Sequence, residues 1–151
     1  MPGEYRNIYQ TARKAAGLTQ EAAAEQLAVS VESLRAYENG HRIPPNDVVA
    51  RMVVCYDKQY LAYQHLQESN ELMARVVPEL EQRSLMETVL RLFKRLKRLD
   101  RDGRVEQLLE IAEDGQISAE ERGEFDAIVA DLREIVRSGL ELEIFCGEAN
   151  Q

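Results

Sequence analysis

"GLTQEAAAEQLAVSVESLRAYENG", Gly17 to Gly40, is the stretch on which the reading of this chain turns. Two glycines bracket helix-friendly text that holds two start signals with almost nothing between them. Thr19 offers a hydroxyl to cap one helix, and Glu21 sits in its first turn, where the helix dipole favours an anion. Ala22, Ala23, Ala24 and Leu27 carry that helix to about Ala28. Ser30 caps the next, which runs to about Tyr37 with Leu34 and Tyr37 inward, and Asn39-Gly40 stops it. Leu27, Val29 and Leu34 can form a wedge that holds the two helices at a steep angle. Ser30, Val31, Glu32, Arg35 and Ala36 are then left facing out. That is the geometry by which a second helix enters the major groove of DNA while the first braces across the phosphates.

Working outward, Ile8, Ala12, Ala15 and Ala16 recur at helical spacing and stop at Gly17. Downstream, Pro44-Pro45-Asn46-Asp47 opens a fourth helix carrying Val48, Val49, Met52 and Val53. A fifth, rich in Tyr and Gln, is expected from about Asp57 to Val77, with Pro78 as a kink or as the first residue of a new helix. Leu85, Val89, Leu92, Leu96 and Leu99 follow at alternating spacings of four and three, the repeat of a bundle or coiled coil. Asp100 to Gly103 reads as a turn. Val105, Leu108, Leu109 and Ala112 make a short helix that breaks at Asp114-Gly115. Ser118 and Glu121 form a capping box ahead of a last helix through Phe125, Ile128, Val129, Leu132, Ile135 and Val136. No strand pattern of any length occurs, so the fold class is all-α.

Composition supports a folded chain: of 151 residues, 44% are hydrophobic and 30% charged. The net charge of −8 argues against a nucleic-acid binder until it is divided. Residues 1–66 hold seven Lys/Arg and seven Asp/Glu, whereas residues 67–151 hold twelve against twenty. The acidity belongs wholly to the second half, and the first half is expected to bind DNA non-specifically only weakly. Cys55 and Cys146, with only two histidines, give neither a zinc spacing nor a disulfide framework; they read as semi-buried free thiols in a reducing cytoplasm. No apolar run approaches the roughly 18 residues of a membrane span, and the first twenty residues lack a signal-peptide pattern.

The combination of Ile8, Arg13, "GLTQE", "LAVS", "SL", "YENG" and "RIP" resembles the lambda-repressor/Cro-like helix-turn-helix family, often called XRE, from about Arg6 to Tyr56. The resemblance implies a five-helix DNA-binding domain over residues 1–66; the helical pattern beyond it adds a connecting helix over 67–77 and a C-terminal helical domain over 78–151. It implies that Gln20 braces a phosphate at the start of the second helix. It also implies that Arg13 pairs with Glu38, that Asn39 reaches the phosphate backbone, and that Arg42 is a second phosphate clamp. Base reading would fall to Ser30, Val31, Glu32, Arg35 and Ala36. Glu32 can accept from a cytosine amino group, Val31 can touch a thymine methyl, and Arg35 can hold guanine or a phosphate. Each has a plainer reading: Ser30 as a helix cap, Glu32 and Arg35 as a solvated pair. Two positions depart from the family. Ala28 stands where the turn usually carries glycine, at a cost of about 1 kcal/mol if left-handed, and Ala23 replaces a usual leucine.

In the second half, "RLFKRLKRLDRDGR" (Arg91 to Arg104) carries seven cations and two anions. It reads either as a further nucleic-acid or lipid surface or, more simply, as the basic side of a bundle, since residues 105–151 hold three cations and thirteen anions. "EDGQISAEE" matches the back half of a calcium loop but not the front, and a helix-capping turn explains the same letters. His41 and His65 stand in polar settings, no catalytic set or metal site is expected, and no cofactor is implied. Groove readers of this size usually act in pairs. The expected homodimer contact is the surface of helices 79–99 and 118–138, through Leu85, Val89, Leu92, Leu96, Leu99, Ile128, Leu132 and Ile135. The reading from sequence is a repressor-type transcriptional regulator on double-stranded DNA, with a protein partner or effector possible at the C-terminal domain. The alternative is a protein-interaction adaptor or antirepressor that keeps the fold without operator binding.

Overall fold

Each short helix at the N-terminal end begins where a side chain can accept from its first unpaired amides. A computed structural model describes residues 7–146; Arg6 and the outer ends of the two expected domains, 1–6 and 147–151, lie outside the described residues. Asn7 caps α1 (Ile8–Ala15), accepting from Tyr9 N at 2.9 Å, and its own amide donates to the Tyr37 carbonyl at 2.8 Å. Thr19 caps α2 (Gln20–Leu27) by accepting from Ala22 N at 3.1 Å, and Ser30 caps α3 (Val31–Glu38) by accepting from Ser33 N at 3.0 Å. Then follow α4 (Asn46–Tyr56), α5 (Gln59–Ser69) and α6 (Glu71–Val76).

The left-handed turn after α2 is real: Ala28 has φ +53°. Its strain is offset locally. Ala28 N donates to Glu25 O at 3.2 Å and Val29 N to Ala24 O at 3.0 Å, the paired bonds that close a helix end. Arg51 Nε, from α4, donates to the Leu27 carbonyl at 3.0 Å. Asp57 ends α4 in the same way at φ +50°.

By contact the described chain divides into two units, residues 7–79 with 144–146, and residues 80–143. In the first, Leu27, Leu34, Met52 and Leu61 are almost wholly buried, with Tyr9, Tyr37, Val48, Val49 and Tyr56 around them. Ala23 is fully enclosed in this core, so the small side chain is accommodated by close packing. Residues 144–146 form a short 3-10 helix that contacts α5.

The second unit is a helical hairpin and a brace. Ser84 opens α7 (Leu85–Arg101) with a capping box, Ser84 N donating to Glu87 Oε2 at 3.0 Å and Glu87 N to Ser84 Oγ at 3.3 Å. α7 packs along α9 (Arg122–Glu143), and α8 (Arg104–Ile111) packs on both. Three expectations change here. The expected fifth helix is two, broken at Asn70, whose extended backbone and side chain cap α6 with an Asn70 Oδ1 to Leu72 N bond of 2.9 Å. Pro78 neither kinks nor opens a helix, because residues 77–84 are non-helical. Ser118 and Glu121 exchange their capping bonds at 2.9 and 3.3 Å, yet the regular helix starts at Arg122.

α7 is also rotated relative to its leucine pattern. The line it turns toward its own unit is Thr88, Leu92, Arg95 and Leu99, with Thr88 wholly buried. Arg95, a member of the basic stretch, donates to the Glu134 carbonyl at 2.8 Å and pairs with the Glu134 carboxylate and Ser138. Leu85, Val89 and Leu96 are left 53%, 44% and 47% exposed.

Candidate nucleic-acid interface

α3 is held by one buried carboxylate at its end. Glu38 Oε1 accepts from Arg13 Nε at 2.5 Å and Oε2 from Arg13 Nη2 at 2.9 Å, while Arg13 Nη1 donates to the Leu18 carbonyl at 2.6 Å. Both side chains are enclosed, at 7% and 0% exposure. The hydrogen bond to Glu38 raises the Arg13 guanidinium above its ordinary range, against the opposing effect of burial. Behind the pair, burial pushes the Tyr56 hydroxyl well above its usual value. This ties α1, which carries Arg13, to the last residue of α3.

Gln20 joins the same knot. Its Nε2 donates to Glu38 Oε2 at 2.9 Å. The resemblance assigns this amide to phosphate alone; the structure adds a partner inside the protein, leaving the second amide hydrogen and Oε1 beyond that bond. Glu38 thus fixes α1, the start of α2 and the end of α3 together.

The positions expected to read bases do not all stand clear. Ser30, Glu32 and Arg35 are exposed, and among the described residues Glu32 and Arg35 form no ion pair. Ser30 Oγ donates to Ser33 Oγ at 2.9 Å besides capping the helix. Ala36 is half-buried, and so is Val31, which packs against the core and offers only part of its side chain. Asn39 and Arg42 are exposed past the end of α3, and the Arg42 guanidinium lies 5.8 Å from the centre of the Tyr37 ring, which steadies it.

Two features were missed at the sequence level. Arg51 anchors the turn between α2 and α3 from α4 and also pairs with Asp47 at 3.2 Å; only its spacing of four from Asp47 was visible. His65 is buried, and its polar setting is made by side chains distant in sequence. Asn46 Oδ1 can only accept, so His65 Nε2 donates to it at 2.8 Å, and Nδ1 accepts from the Tyr9 hydroxyl at 2.8 Å. Burial lowers the imidazole pKa, in keeping with this neutral form. His65 thereby pins α5 to α1 and to the start of α4. Cys55 is half-buried and donates to Gln26 Oε1 at 3.1 Å, whereas Cys146 is exposed rather than semi-buried; both are free thiols.

Capped helices, a left-handed turn between them and an enclosed brace beneath the second are what a groove-entering helix pair requires. Residues 10–57 match the family described as a helix-turn-helix domain. The match ends just past α4, and the rest of the chain is unassigned. No curated protein and no solved structure matches the chain. The helix-turn-helix domain points to duplex DNA as the class of partner and to a regulator rather than an enzyme. Among the described residues no helix is long and apolar enough to cross a membrane.

Proposed function

We propose that the chain is a sequence-specific transcriptional regulator of the lambda-repressor/Cro-like type, a repressor that binds a two-fold symmetric operator as a homodimer. The observation that carries the reading is the exposed row Ser30, Glu32 and Arg35 on a helix locked from behind by the Arg13–Glu38 pair. A rigid mount under a short polar face favours contact with base edges, because the register of the helix does not drift between encounters. Arg35 reads guanine, Glu32 accepts from cytosine, and the exposed part of Val31 meets a thymine methyl. Ser30 and Ala36 bound that row. Gln20, Asn39 and Arg42 hold the phosphate backbone on either side, Gln20 through the part of its amide that Glu38 does not use.

A salt-titrated selection against random short duplexes tests this. The regulator enriches a palindrome whose half-sites lie about one helical turn apart. Its salt slope is on the order of −2, from Arg42 of both copies each displacing one counterion. Gln20→Ala weakens all duplexes alike, whereas Arg35→Ala changes which duplexes are preferred. No enrichment over bulk DNA at low salt removes the operator reading. One observation favours a second reading, an adaptor or antirepressor: the outer face of α3 sets one cation, Arg35, against one anion, Glu32. That protein would emerge from the same selection with no preferred duplex.

A further inference from the structure

The second unit leaves much of its apolar surface open. On α7, Leu85, Met86, Val89, Leu90, Phe93 and Leu96 are 44–67% exposed, and on α8 Val105 and Leu109 are 48% and 68% exposed. A standard interface takes ~800 Å² from each partner, a size that eight large apolar side chains left about half exposed can approach. A typical monomer keeps its largest apolar patch within about 300–600 Å².

The charges beside the two apolar stripes are opposite in sign. On α7, Lys94 continues the row of Leu90 and Lys97 continues the row of Phe93, whose ring it approaches to 5.8 Å. On α8, Glu106 and Glu110 run beside Val105 and Leu109 at the same spacing of four. Four further cations of the basic stretch are already used: Arg95 pairs with Glu134, Arg104 with Asp131 at 3.7 Å, and Arg98 and Arg101 with Asp102, while Arg91 stands exposed one turn beyond Glu87. Among the described residues Lys94, Lys97, Glu106 and Glu110 enter no ion pair.

We infer that this surface is built for a second copy of the same chain: the lysine-flanked stripe of α7 in one copy lies on the glutamate-flanked stripe of α8 in the other, and reciprocally. A two-fold arrangement makes this contact twice, which doubles the buried area and sets basic against acidic in both places. An α7-on-α7 pairing would bring lysine rows together. The inference deepens the homodimer of the proposed function and moves its interface. Met86, Leu90, Phe93, Val105 and Leu109 carry it, while Leu92, Leu99, Leu132 and Ile135 are half-buried within their own unit and Ile128 is enclosed there.

Light scattering on the full chain, without DNA, tests it. The wild-type chain is a dimer, and Leu90→Glu with Phe93→Glu raises the dissociation constant by about a hundredfold or more without loss of helicity. Lys94→Glu with Lys97→Glu gives one monomeric variant, and Glu106→Lys with Glu110→Lys gives another. Mixed in equal amounts, the two form a heterodimer, because each places its altered stripe on a complementary one. A wild-type chain that is monomeric at tens of micromolar, dimers indifferent to these changes, or a mixture that fails to associate would each overturn the inference. So would sedimentation of a monomeric wild-type chain with anionic vesicles, which would make α7 a lipid face. The two proposals fail separately. A dimer that enriches no duplex keeps this interface and loses the operator; a monomer that selects a half-site does the reverse.

Discussion

The two units use similar side chains to opposite ends. In the first, twelve hydrophobic residues form one buried cluster, and among the described residues the exposed large ones are Ile43, Val54, Leu72 and Val76. In the second, the buried hydrophobics are Leu80, Ile111 and Ile128, while nine large ones stand exposed. Its enclosed positions include polar groups, Thr88, Ser138 and Glu141, with Glu141 held by Arg137 Nε at 3.2 Å and by Glu81 N at 3.2 Å. The first unit is finished by its own residues. The second has a polar seam on the inside and its oily side out. An amphipathic pattern therefore says that a face will be covered, but not by what.

Mutations can break this contrast in order of their expected size. Arg13→Ala strands the Glu38 carboxylate in the core and costs about 3–5 kcal/mol. Thermal unfolding of the full chain registers it, and Arg13→Met with Glu38→Leu recovers much of the loss. A melt unchanged by Arg13→Ala would show that the pair is not enclosed in solution. Leu34→Ala, at 0% exposure, costs about 2–5 kcal/mol. Leu109→Ala, at 68% exposure, costs under about 0.5 kcal/mol when urea titrations are done at dilutions that leave the chain monomeric. Equal costs at the two sites would erase the distinction between the units. Ala28→Gly relieves the left-handed alanine and raises stability by about 1 kcal/mol or slightly less, read as a higher urea midpoint.

The smallest effect depends on pH. Burial holds the folded His65 below its ordinary value of 6.5, so the folded state binds fewer protons there than the unfolded chain. Its contribution is complete above about pH 6.5 and is lost as the pH falls from there to the folded value. The urea midpoint of the wild-type chain therefore drops further between pH 7.5 and 5 than that of His65→Gln. Parallel curves for the two proteins would place the imidazole in water.

The first four helices were legible because their signals are local: a cap, a short periodic run, a glycine or a proline pair. Ser30, Arg13 and Glu38 could be assigned from such signals and a family resemblance. Three features were not legible, each decided by a partner distant in sequence. Arg51 reaches the end of α2, His65 bridges α1 and α4, and Gln20 turns toward Glu38. The α7 pattern misled for another reason. Its leucines recur at a core-like spacing, but Arg95 bonds Ser138 and the Thr88 hydroxyl donates to the Ser84 carbonyl within the seam, which leaves Leu85, Val89 and Leu96 turned outward. The Ser84–Glu87 capping box, by contrast, is a local signal four letters long that marks the start of α7.

The anchoring of α3 also limits how the protein could be retargeted. Of its eight residues, Leu34, Tyr37 and Glu38 are committed to the interior and Val31 partly so. Glu32 and Arg35 are left as letters that can be rewritten without disturbing the fold, and the half-buried Ser33 and Ala36 admit small side chains. A library over those four positions, joined by the capping residue Ser30 and the partly exposed Val31, explores most of the specificities this scaffold can express, whereas changes at Leu34, Tyr37 and Glu38 disturb the core.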